Sequence, residues 1–277
     1  MSGIPKIAET GTDAYSMPEL MAVEMSRNLA YDNGTTGGVG TSATIPMAAV
    51  RLATLTVAPD IVWFCGASAG INPTFSELPL SAHDPIAFVG AEAHVPMMRT
   101  VDMGMQGNIW NFGFNGGIQV DKHGNCNMIG IGPYENLKVR GPGTVGVIWA
   151  ASMNHCYLYF NHHSRRTLVE KVDYISSPGY LSDGSGRSPH LKPTSTGPRL
   201  VYTPLCVMDF TEDTKQLRLK SVNPGYTVQD VLDNSGCEIV VPDDVPATRP
   251  PTELELMLLR TQVDRTGTLR TFQVTYG

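Results

Sequence analysis

Short apolar runs separated by turn residues recur along the chain, and several of them are apolar on both faces. Runs of this kind are typical of buried strands, and strands that are apolar on both faces are typical of parallel sheets covered by helices. We predict strands at 61–64, 86–89, 117–120, 128–131, 145–150, 156–160, 200–202 and 207–210.

Helix start signals lie between these runs. Ser16 and Glu19 have the spacing of a capping box, in which each side chain accepts from the other residue's backbone N–H, and they predict a helix over 17–32. Asn33 and Gly34 supply its stop. Similar signals predict helices over 45–55, over 228–234, and from Thr252 through the leucines that follow it. Strands that alternate with helices predict an α/β layered fold.

The chain has 277 residues, enough to bury a core without disulfides or metal ions to hold it together. Its 28 glycines and 20 prolines indicate many tight turns. There is no internal repeat and no clean linker, so we expect one domain over 1–277. The segment near 181–196 is rich in Ser, Gly and Pro, and we expect it to be a surface loop.

Charge and cysteine content exclude several classes of partner and a disulfide-bonded fold. Twenty Lys and Arg residues against 26 Asp and Glu residues give a net charge of −6, without a basic run, so we expect no nucleic-acid partner. No apolar stretch approaches the ~20 residues needed to span a bilayer, and the N-terminus lacks the apolar core of a signal peptide. The five cysteines are widely spaced, which is not the pattern of a disulfide framework. We expect a cytoplasmic, reduced protein with no membrane partner.

Gly37, Gly38 and Gly40 lie just before the second predicted helix. In a loop there, their backbone N–H groups could bind an anion with help from the helix dipole, and an ordinary glycine turn is the alternative interpretation. The loop lacks the lysine of a P-loop and the spacing of a dinucleotide fold. The histidines at 155, 162 and 163 do not have metal-ligand spacing. We interpret them as surface or supporting residues, and we expect neither a metal ion nor a separate cofactor.

Polar residues gather at one turn, between the apolar runs at 117–120 and 128–131. Asp121 and Asn125 bracket a tight hairpin turn that bonds its own backbone. Gln119 and Asn127 flank the turn at polar positions within apolar strands, which a turn alone does not explain. We predict that these four residues line a polar pocket. The residues by themselves indicate an α/β protein with an anion or acyl-group pocket and leave its chemistry open.

The turn Gln119-Val-Asp121-x-x-Gly124-Asn125-x-Asn127 resembles a turn of β subunits in the class I coenzyme A transferases, the glutaconate CoA-transferase type in particular. The resemblance continues in the same order along the chain and covers about 16–264. Its other segments are 40–46, 58–60, 139–143, 166–179 and 227–237.

This resemblance implies an open, mostly parallel sheet with helices on both faces. It implies an α-type partner subunit in an αβ or (αβ)₂ complex that binds acyl-CoA, so that coenzyme A enters as part of the substrate. In the family, a β-subunit glutamate attacks the thioester and glycine-loop N–H groups stabilise the oxyanion. The residues of this chain in the corresponding loops are Gly37, Gly38, Gly40, Cys65, Gly66, Ala67, Ser68, Gly141 and Gly143.

The position of the family glutamate falls on Phe64, which cannot form an acyl anhydride. Cys65 beside it could be a nucleophile or a buried, inert thiol. A branch of the family in bacterial steroid catabolism resembles these enzymes in fold and hydrolyses a ring C–C bond of a CoA thioester, using a glutamate of the α subunit.

We therefore favour a β-type subunit of a ring-opening hydrolase. One alternative is CoA transfer between carboxylic acids, with a carboxylate supplied by Glu77 or by the partner. Another is a non-catalytic β-type subunit. The candidates for binding the CoA phosphates are Lys138, Arg140, Arg165 and Arg166.

Overall fold

The computed structural model describes residues 15–40, 43–66, 70–81, 84–105 and 109–277. They divide into two compact units. The N-terminal unit contains the described residues up to Phe114 together with Arg249–Val274, and the central unit contains Asn115–Thr248 and Thr275–Gly277.

Short strands and short helices alternate along the described residues. The helices are α1 (Met17–Asn28), α2 (Thr44–Leu55), α3 (Met97–Met105), α4 (Val228–Asp233), α5 (Glu253–Leu258) and α6 (Thr268–Thr271). The strands are β1 (Thr36–Val39), β2 (Val62–Cys65), β3 (Gly70–Ile71), β4 (Ala93–His94), β5 (Phe112–Asn115), β6 (Gln119–Asp121), β7 (Cys126–Asn127), β8 (Gly130–Ile131), β9 (Val139–Arg140), β10 (His155–Tyr159), β11 (His162–His163), β12 (Leu168–Val169), β13 (Gly197–Tyr202), β14 (Cys206–Phe210), β15 (Leu217–Val222) and β16 (Thr275–Tyr276).

In the N-terminal unit the strand order is β5-β1-β2-β3-β4. Strand β1 lies between β5 and β2 and is parallel to both, whereas β3 and β4 add antiparallel pairs at the edge. The parallel strands are linked by α2, which follows β1 and precedes β2. This β1-α2-β2 crossover is the unit from which α/β folds are built.

In the central unit the largest sheet has the order β15-β14-β13-β10. Strands β10 and β13 are parallel, and β14 and β15 continue antiparallel. A smaller sheet pairs β12 parallel to β6, and β6 with β7 in an antiparallel hairpin. The side chains buried between these elements include Val120, Leu158, Val201 and Met208. The predicted hairpin turn between Asp121 and Asn125 is therefore confirmed.

Three of the predicted helix starts are true capping boxes. Ser16 and Glu19 begin α1, Thr227 and Asp230 begin α4, and Thr252 and Glu255 begin α5, each with both reciprocal hydrogen bonds. The predicted helix over 17–32 is α-helical to Asn28 and ends in a 3₁₀ turn. The starts were predictable because a capping box is local in sequence.

Two of the predicted strands are wrong, because both segments are 3₁₀ helices. At Pro85–Phe88, the Asp84 carboxylate accepts from the Ile86 N–H at 3.1 Å and begins the helix. At Val145–Ala151, the first residue has a φ of +51°, a left-handed conformation that a strand cannot contain. Neither segment pairs with a strand among the described residues, and an apolar run alone does not select strand over helix.

Residues 181–196 contain neither a helix nor a strand. The Arg187 guanidinium ties this segment down by donating to the carbonyl oxygens of Pro178 and Gly179 and, at 3.1 Å, to Ser195 Oγ. The loop therefore has an internal anchor. No helix among the described residues is both long and apolar enough to cross a membrane.

His163 is fully buried in the central unit, so of the two interpretations given for it, surface or supporting residue, the surface one is wrong. Ser235 Oγ donates to the Val231 carbonyl at 2.7 Å, and it therefore accepts from the Nε2–H of His163 at 3.1 Å. Nδ1 of the ring lies 2.8 Å from Thr203 Oγ1, a hydroxyl that also lies within hydrogen-bonding distance of the Cys206 carbonyl at 3.2 Å. Burial lowers the pKa of His163 to about 4, which favours the neutral imidazole.

This depressed pKa predicts an acid-dependent loss of stability. The unfolded chain binds the extra proton below about pH 6.5 and the folded chain does not, so the stabilisation is complete above that pH and is lost as the pH falls towards the folded-state pKa. Of the difference in unfolding free energy between about pH 7 and about pH 5, measured by urea unfolding, roughly 2 kcal/mol should come from His163. His163→Gln should remove that part of the difference, whereas His162→Gln, at a half-buried position, should keep it. An equal pH slope in the wild type and His163→Gln would contradict this account.

Candidate functional site

The predicted glycine loop is a strand for half of its length, which corrects the sequence interpretation. Gly37 and Gly38 lie in β1, between the two parallel neighbours of that strand. A Cβ at Gly37 would lie 2.2 Å from the Phe112 ring, and one at Gly38 would lie 2.5 Å from the Trp110 ring. These glycines make room for aromatic rings, and a central strand uses its N–H groups in sheet pairing. Gly40 follows the strand, and among the described residues no atom beyond its chain neighbours lies within 4 Å of a Cβ there.

The end of β2 is closely packed. Phe64 is 2% exposed, and its ring lies 5.3 Å from the Trp110 ring centroid. Cys65 is completely buried, with Sγ 3.5 Å from Met47 Sδ. Gly66 has a φ of +68° and donates its N–H to the Val39 carbonyl at 2.9 Å. The predicted loop residues Ala67 and Ser68 lie outside the described residues.

Burial raises the pKa of Cys65 to about 12. Because the thiolate is the reactive form, this thiol should be inert in the folded chain. We predict that iodoacetamide at about pH 8 modifies Cys65 at least ~100-fold more slowly in the folded chain than in urea. Peptide-resolved mass spectrometry measures both rates. Rapid modification of Cys65 in the folded chain would favour a nucleophilic role instead.

Carboxylates are missing from the segment that follows β2. The sequence has no Asp or Glu between Asp60 and Glu77. Glu77 itself pairs with Arg265 at 3.3 Å, and both side chains are well exposed. Two carboxylates further on have structural contacts: Asp84 begins a 3₁₀ helix, and Glu92 accepts from Asn72 Nδ2 at 3.2 Å.

The four predicted polar-pocket residues come together at the β6–β7 hairpin, and two of them form the turn itself. The Asp121 carboxylate accepts from the backbone N–H groups of His123 and Asn125, each at 3.0 Å, and from Asn125 Nδ2 at 3.1 Å. Asn125 Oδ1 accepts from the Gly179 N–H at 2.8 Å. Burial raises the pKa of Asp121, and the hydrogen bonds from Asn125 oppose that shift. This pair holds the turn and the segment at Gly179 in place.

The other two residues form a pair across the hairpin. Asn127 Nδ2 donates to Gln119 Oε1 at 2.7 Å, and Gln119 Nε2 donates to Asp173 Oδ2 at 2.8 Å. Asp173 Oδ1 also accepts from the Gly132 N–H at 3.0 Å. The side-chain hydrogen bonds described for the four predicted residues thus go to other groups of the chain. Sequence reasoning missed Asp173 and Gly179 as partners, although both lie in the segment 166–179 that carried part of the resemblance.

The predicted loop residues Gly141 and Gly143 lie just after β9. The Gly141 N–H donates to the Ile129 carbonyl at 2.8 Å, and the Gly143 N–H donates to the Met128 carbonyl at 3.1 Å. Both amides are therefore engaged within the chain. Gly143 has a φ of +90°, which requires a glycine there.

Exposed cations flank this region of the central unit. Lys138, Arg140 and Arg166 are exposed and form no ion pair within the part of the chain that the structure describes. Arg165 is exposed as well, and its Nε donates to the Ser235 carbonyl at 3.3 Å. Among residues with a described placement, no group of three or more His, Cys, Asp or Glu side chains could hold a metal ion.

The site residues thus form two groups, each within one unit. The N-terminal unit holds the glycines of β1 and the end of β2, and the central unit holds the polar hairpin and the Gly141–Gly143 turn. The N–H groups of Gly66, Gly141 and Gly143 are engaged within the chain. The exposed cations of the central unit are suited to binding phosphates.

Comparisons with known proteins agree on a family. The chain matches the Coenzyme A transferase family model over residues 22–234. The B-type subunit of a 3-oxoadipate CoA-transferase from Pseudomonas knackmussii is 35% identical over 255 residues, which are 92% of this chain and 95% of that protein. A cholesterol ring-cleaving hydrolase IpdB subunit from Rhodococcus jostii is 30% identical over 234 residues, which are 80% of this chain and 83% of that protein.

The fold has a counterpart among solved structures. The crystal structure of glutaconate coenzyme A-transferase from Acidaminococcus fermentans matches with a TM-score of 0.81 at 26% identity, over 92% of this chain and 97% of that chain. The α/β fold class and the resemblance identified in the sequence are thereby confirmed.

Proposed function

The chain belongs to the coenzyme A transferase family, and on that premise we propose that it is the β-type subunit of a two-subunit enzyme that acts on acyl-CoA thioesters. The relatives support this, since two of them are B-type subunits by name. We propose an α-type partner in an (αβ)₂ complex, with coenzyme A as part of the substrate and no separate cofactor.

The proposed reaction depends on one observation, the absence of an acidic residue after the strand at 61–64. A transferase of the kind that the resemblance implies needs a β-subunit glutamate after the strand at 61–64, and this sequence has no acidic residue from 61 to 76. Phe64 is a buried ring, and Cys65 is a buried thiol with a raised pKa. We therefore favour hydrolytic C–C ring opening of a CoA-linked substrate, with the essential carboxylate on the partner subunit. The relationship to an IpdB subunit supports this choice.

Ring opening of this kind needs a ketone placed so that cleavage leaves a carbanion next to the thioester. Water adds to the ketone, the C–C bond breaks, and the electron pair is held as a thioester enolate until it is protonated. This chain's contribution is orientation: the exposed Lys138, Arg140 and Arg166 would bind CoA phosphates as charge-assisted contacts. Of the predicted oxyanion donors, the N–H groups of Gly66 and Gly141 are engaged within the chain.

CoA transfer is the second candidate, because the B-type subunit of the 3-oxoadipate CoA-transferase is 35% identical over 92% of this chain. In that case a carboxylate from Glu77 or from the partner would form the enzyme–CoA thioester. Glu77 is the first acidic residue after β2 and is partly exposed. Its neighbour in the structure is Arg265, which would have to release it.

Trapping separates the two candidates. The chain, co-expressed with its α-type partner, is incubated with acyl-CoA thioesters and acceptor acids, and hydroxylamine or borohydride is added. Intact-subunit mass spectrometry of a sample taken before the reagent reports any CoA adduct, and a sample taken after it reports the hydroxamate or alcohol that replaces CoA at the same carboxyl group. Chromatography reports acid-to-acid exchange. We expect no adduct and no exchange. A CoA adduct on either subunit together with exchange would establish transfer, and a Glu77→Gln variant would show whether this chain carries the adduct.

A further inference from the structure

Asn127 has no hydrogen-bonding position left for a substrate. It is completely buried. Its Nδ2 donates to Gln119 Oε1 and to the Gly130 carbonyl, each at 2.7 Å. Its Oδ1 accepts from the N–H groups of Ile129 at 2.9 Å and Gly130 at 3.3 Å. An amide side chain offers two donors and two acceptor positions, so the side chain is saturated.

The two N–H groups that Asn127 holds belong to two consecutive peptide units. The carbonyl of the first unit, Met128 C=O, accepts from the Gly143 N–H at 3.1 Å, and the carbonyl of the second, Ile129 C=O, accepts from the Gly141 N–H at 2.8 Å. A peptide unit is planar, so fixing its N–H fixes the direction of its C=O. Asn127 therefore sets, through two rigid planes, where Gly141 and Gly143 lie.

Gly141 packs tightly against the peptide unit of Met128. A Cβ at Gly141 would lie 2.0 Å from the Met128 carbonyl oxygen. A second buried residue, Ser176, fixes the start of the same segment, 128–130. Its Oγ accepts from the Met128 N–H at 2.9 Å. A shift of Met128 or Ile129 would therefore pass directly to the glycine turn.

We propose that Asn127 is a positioning residue that acts on the reaction through the Gly141–Gly143 turn and makes no contact with the substrate. The reaction role rests on the proposed function, in which Lys138 and Arg140, just before this turn, bind the CoA phosphates. The link between Asn127 and the turn rests on the hydrogen bonds alone. The assignment replaces the polar-pocket role predicted for this residue from the sequence.

The test uses Asn127→Ala in the complex with the α-type partner, and Asn223→Ala as its matched control. Asn223 is also buried in the central unit, and its Nδ2 donates to the carbonyls of Thr203 at 3.1 Å and Pro204 at 3.0 Å. Both variants lose buried hydrogen bonds and should lose similar stability. Peptide-resolved amide hydrogen exchange reports the glycine turn, and steady-state kinetics with a cyclic β-oxo acyl-CoA thioester, oxocyclohexanecarboxyl-CoA, report the reaction.

We expect Asn127→Ala to speed exchange at Gly141 and Gly143 by about tenfold and to lower kcat by about tenfold or more, with KM within about twofold. Asn223→Ala should change neither the exchange of these two amides nor kcat. Unchanged exchange at the turn, an equal loss of kcat in the two variants, or a raised KM with an unchanged kcat would each overturn the proposal. The last of these results would indicate a direct substrate contact.

Two further measurements cover the case in which Asn127→Ala does not fold and the case in which the complex is inactive. In the first case, Ser176→Ala removes a single hydrogen bond to the segment 128–130 and should change the exchange rates and kcat in the same direction. Unchanged exchange and kcat in Ser176→Ala would overturn the proposal. If the wild-type complex turns over neither this probe nor any thioester in the transfer assay, the proposed function fails and the reaction role of Asn127 fails with it. The exchange measurement then still decides whether Asn127 sets the turn.

Discussion

Replacing Arg260 with alanine should destabilise the chain by about 3–5 kcal/mol, the cost of leaving a buried charge without its partner. Glu19 is 1% exposed, and its carboxylate accepts from Arg260 Nε at 2.8 Å and Nη2 at 3.2 Å. The same carboxylate completes the capping box of α1 by accepting from the Ser16 N–H at 2.8 Å. Urea unfolding at about pH 7 measures the loss.

The matched control is Arg265→Ala. Arg265 pairs with Glu77 in the same unit, but the two side chains are 65% and 44% exposed, and an exposed pair contributes about 0–1 kcal/mol. Glu19→Gln in the Arg260→Ala background should recover part of the stability, because it removes the buried charge and keeps the capping acceptor. A loss for Arg260→Ala no larger than that for Arg265→Ala would contradict the assignment.

Gly37→Ala should destabilise the N-terminal unit by about 1–3 kcal/mol through overpacking. The new Cβ would lie 2.2 Å from Phe112 Cε1, and that ring is fully buried in the neighbouring strand and cannot swing aside. Gly40→Ala is the control, because no atom of the described residues beyond its chain neighbours lies within 4 Å of a Cβ there, and it should change stability by less than ~0.5 kcal/mol. Circular dichroism during urea unfolding compares them. Equal free energies of unfolding for Gly37→Ala and Gly40→Ala would contradict the view that the glycines of β1 make room for aromatic rings.

Local signals carried the sequence prediction a long way. Helix starts at Ser16, Thr227 and Thr252 could be predicted because the cap and its partner lie three residues apart. The β6–β7 hairpin could be predicted because turn residues separate its two strands. Both kinds of signal are complete within a few residues of sequence.

The sequence predictions failed where residues far away in the sequence determine the local structure. Gly37 and Gly38 were predicted as a loop, but they form a strand that packs against Trp110 and Phe112, about seventy residues further on. The hydrogen bond from Gln119 to Asp173, 54 residues away, was likewise not visible in the sequence. The carboxylate that the family chemistry needs is a different case: its absence is visible in the sequence alone.

Heavy-oxygen water tests the central proposal most directly. We incubate the complex of this chain and its α-type partner in heavy-oxygen water, together with oxocyclohexanecarboxyl-CoA and an acceptor acid. Mass spectrometry follows the CoA products. The account predicts a ring-opened product that still carries coenzyme A and has heavy oxygen in a new carboxyl group. Coenzyme A appearing on the acceptor acid, with no labelled ring-opened thioester, would contradict it and establish a transferase.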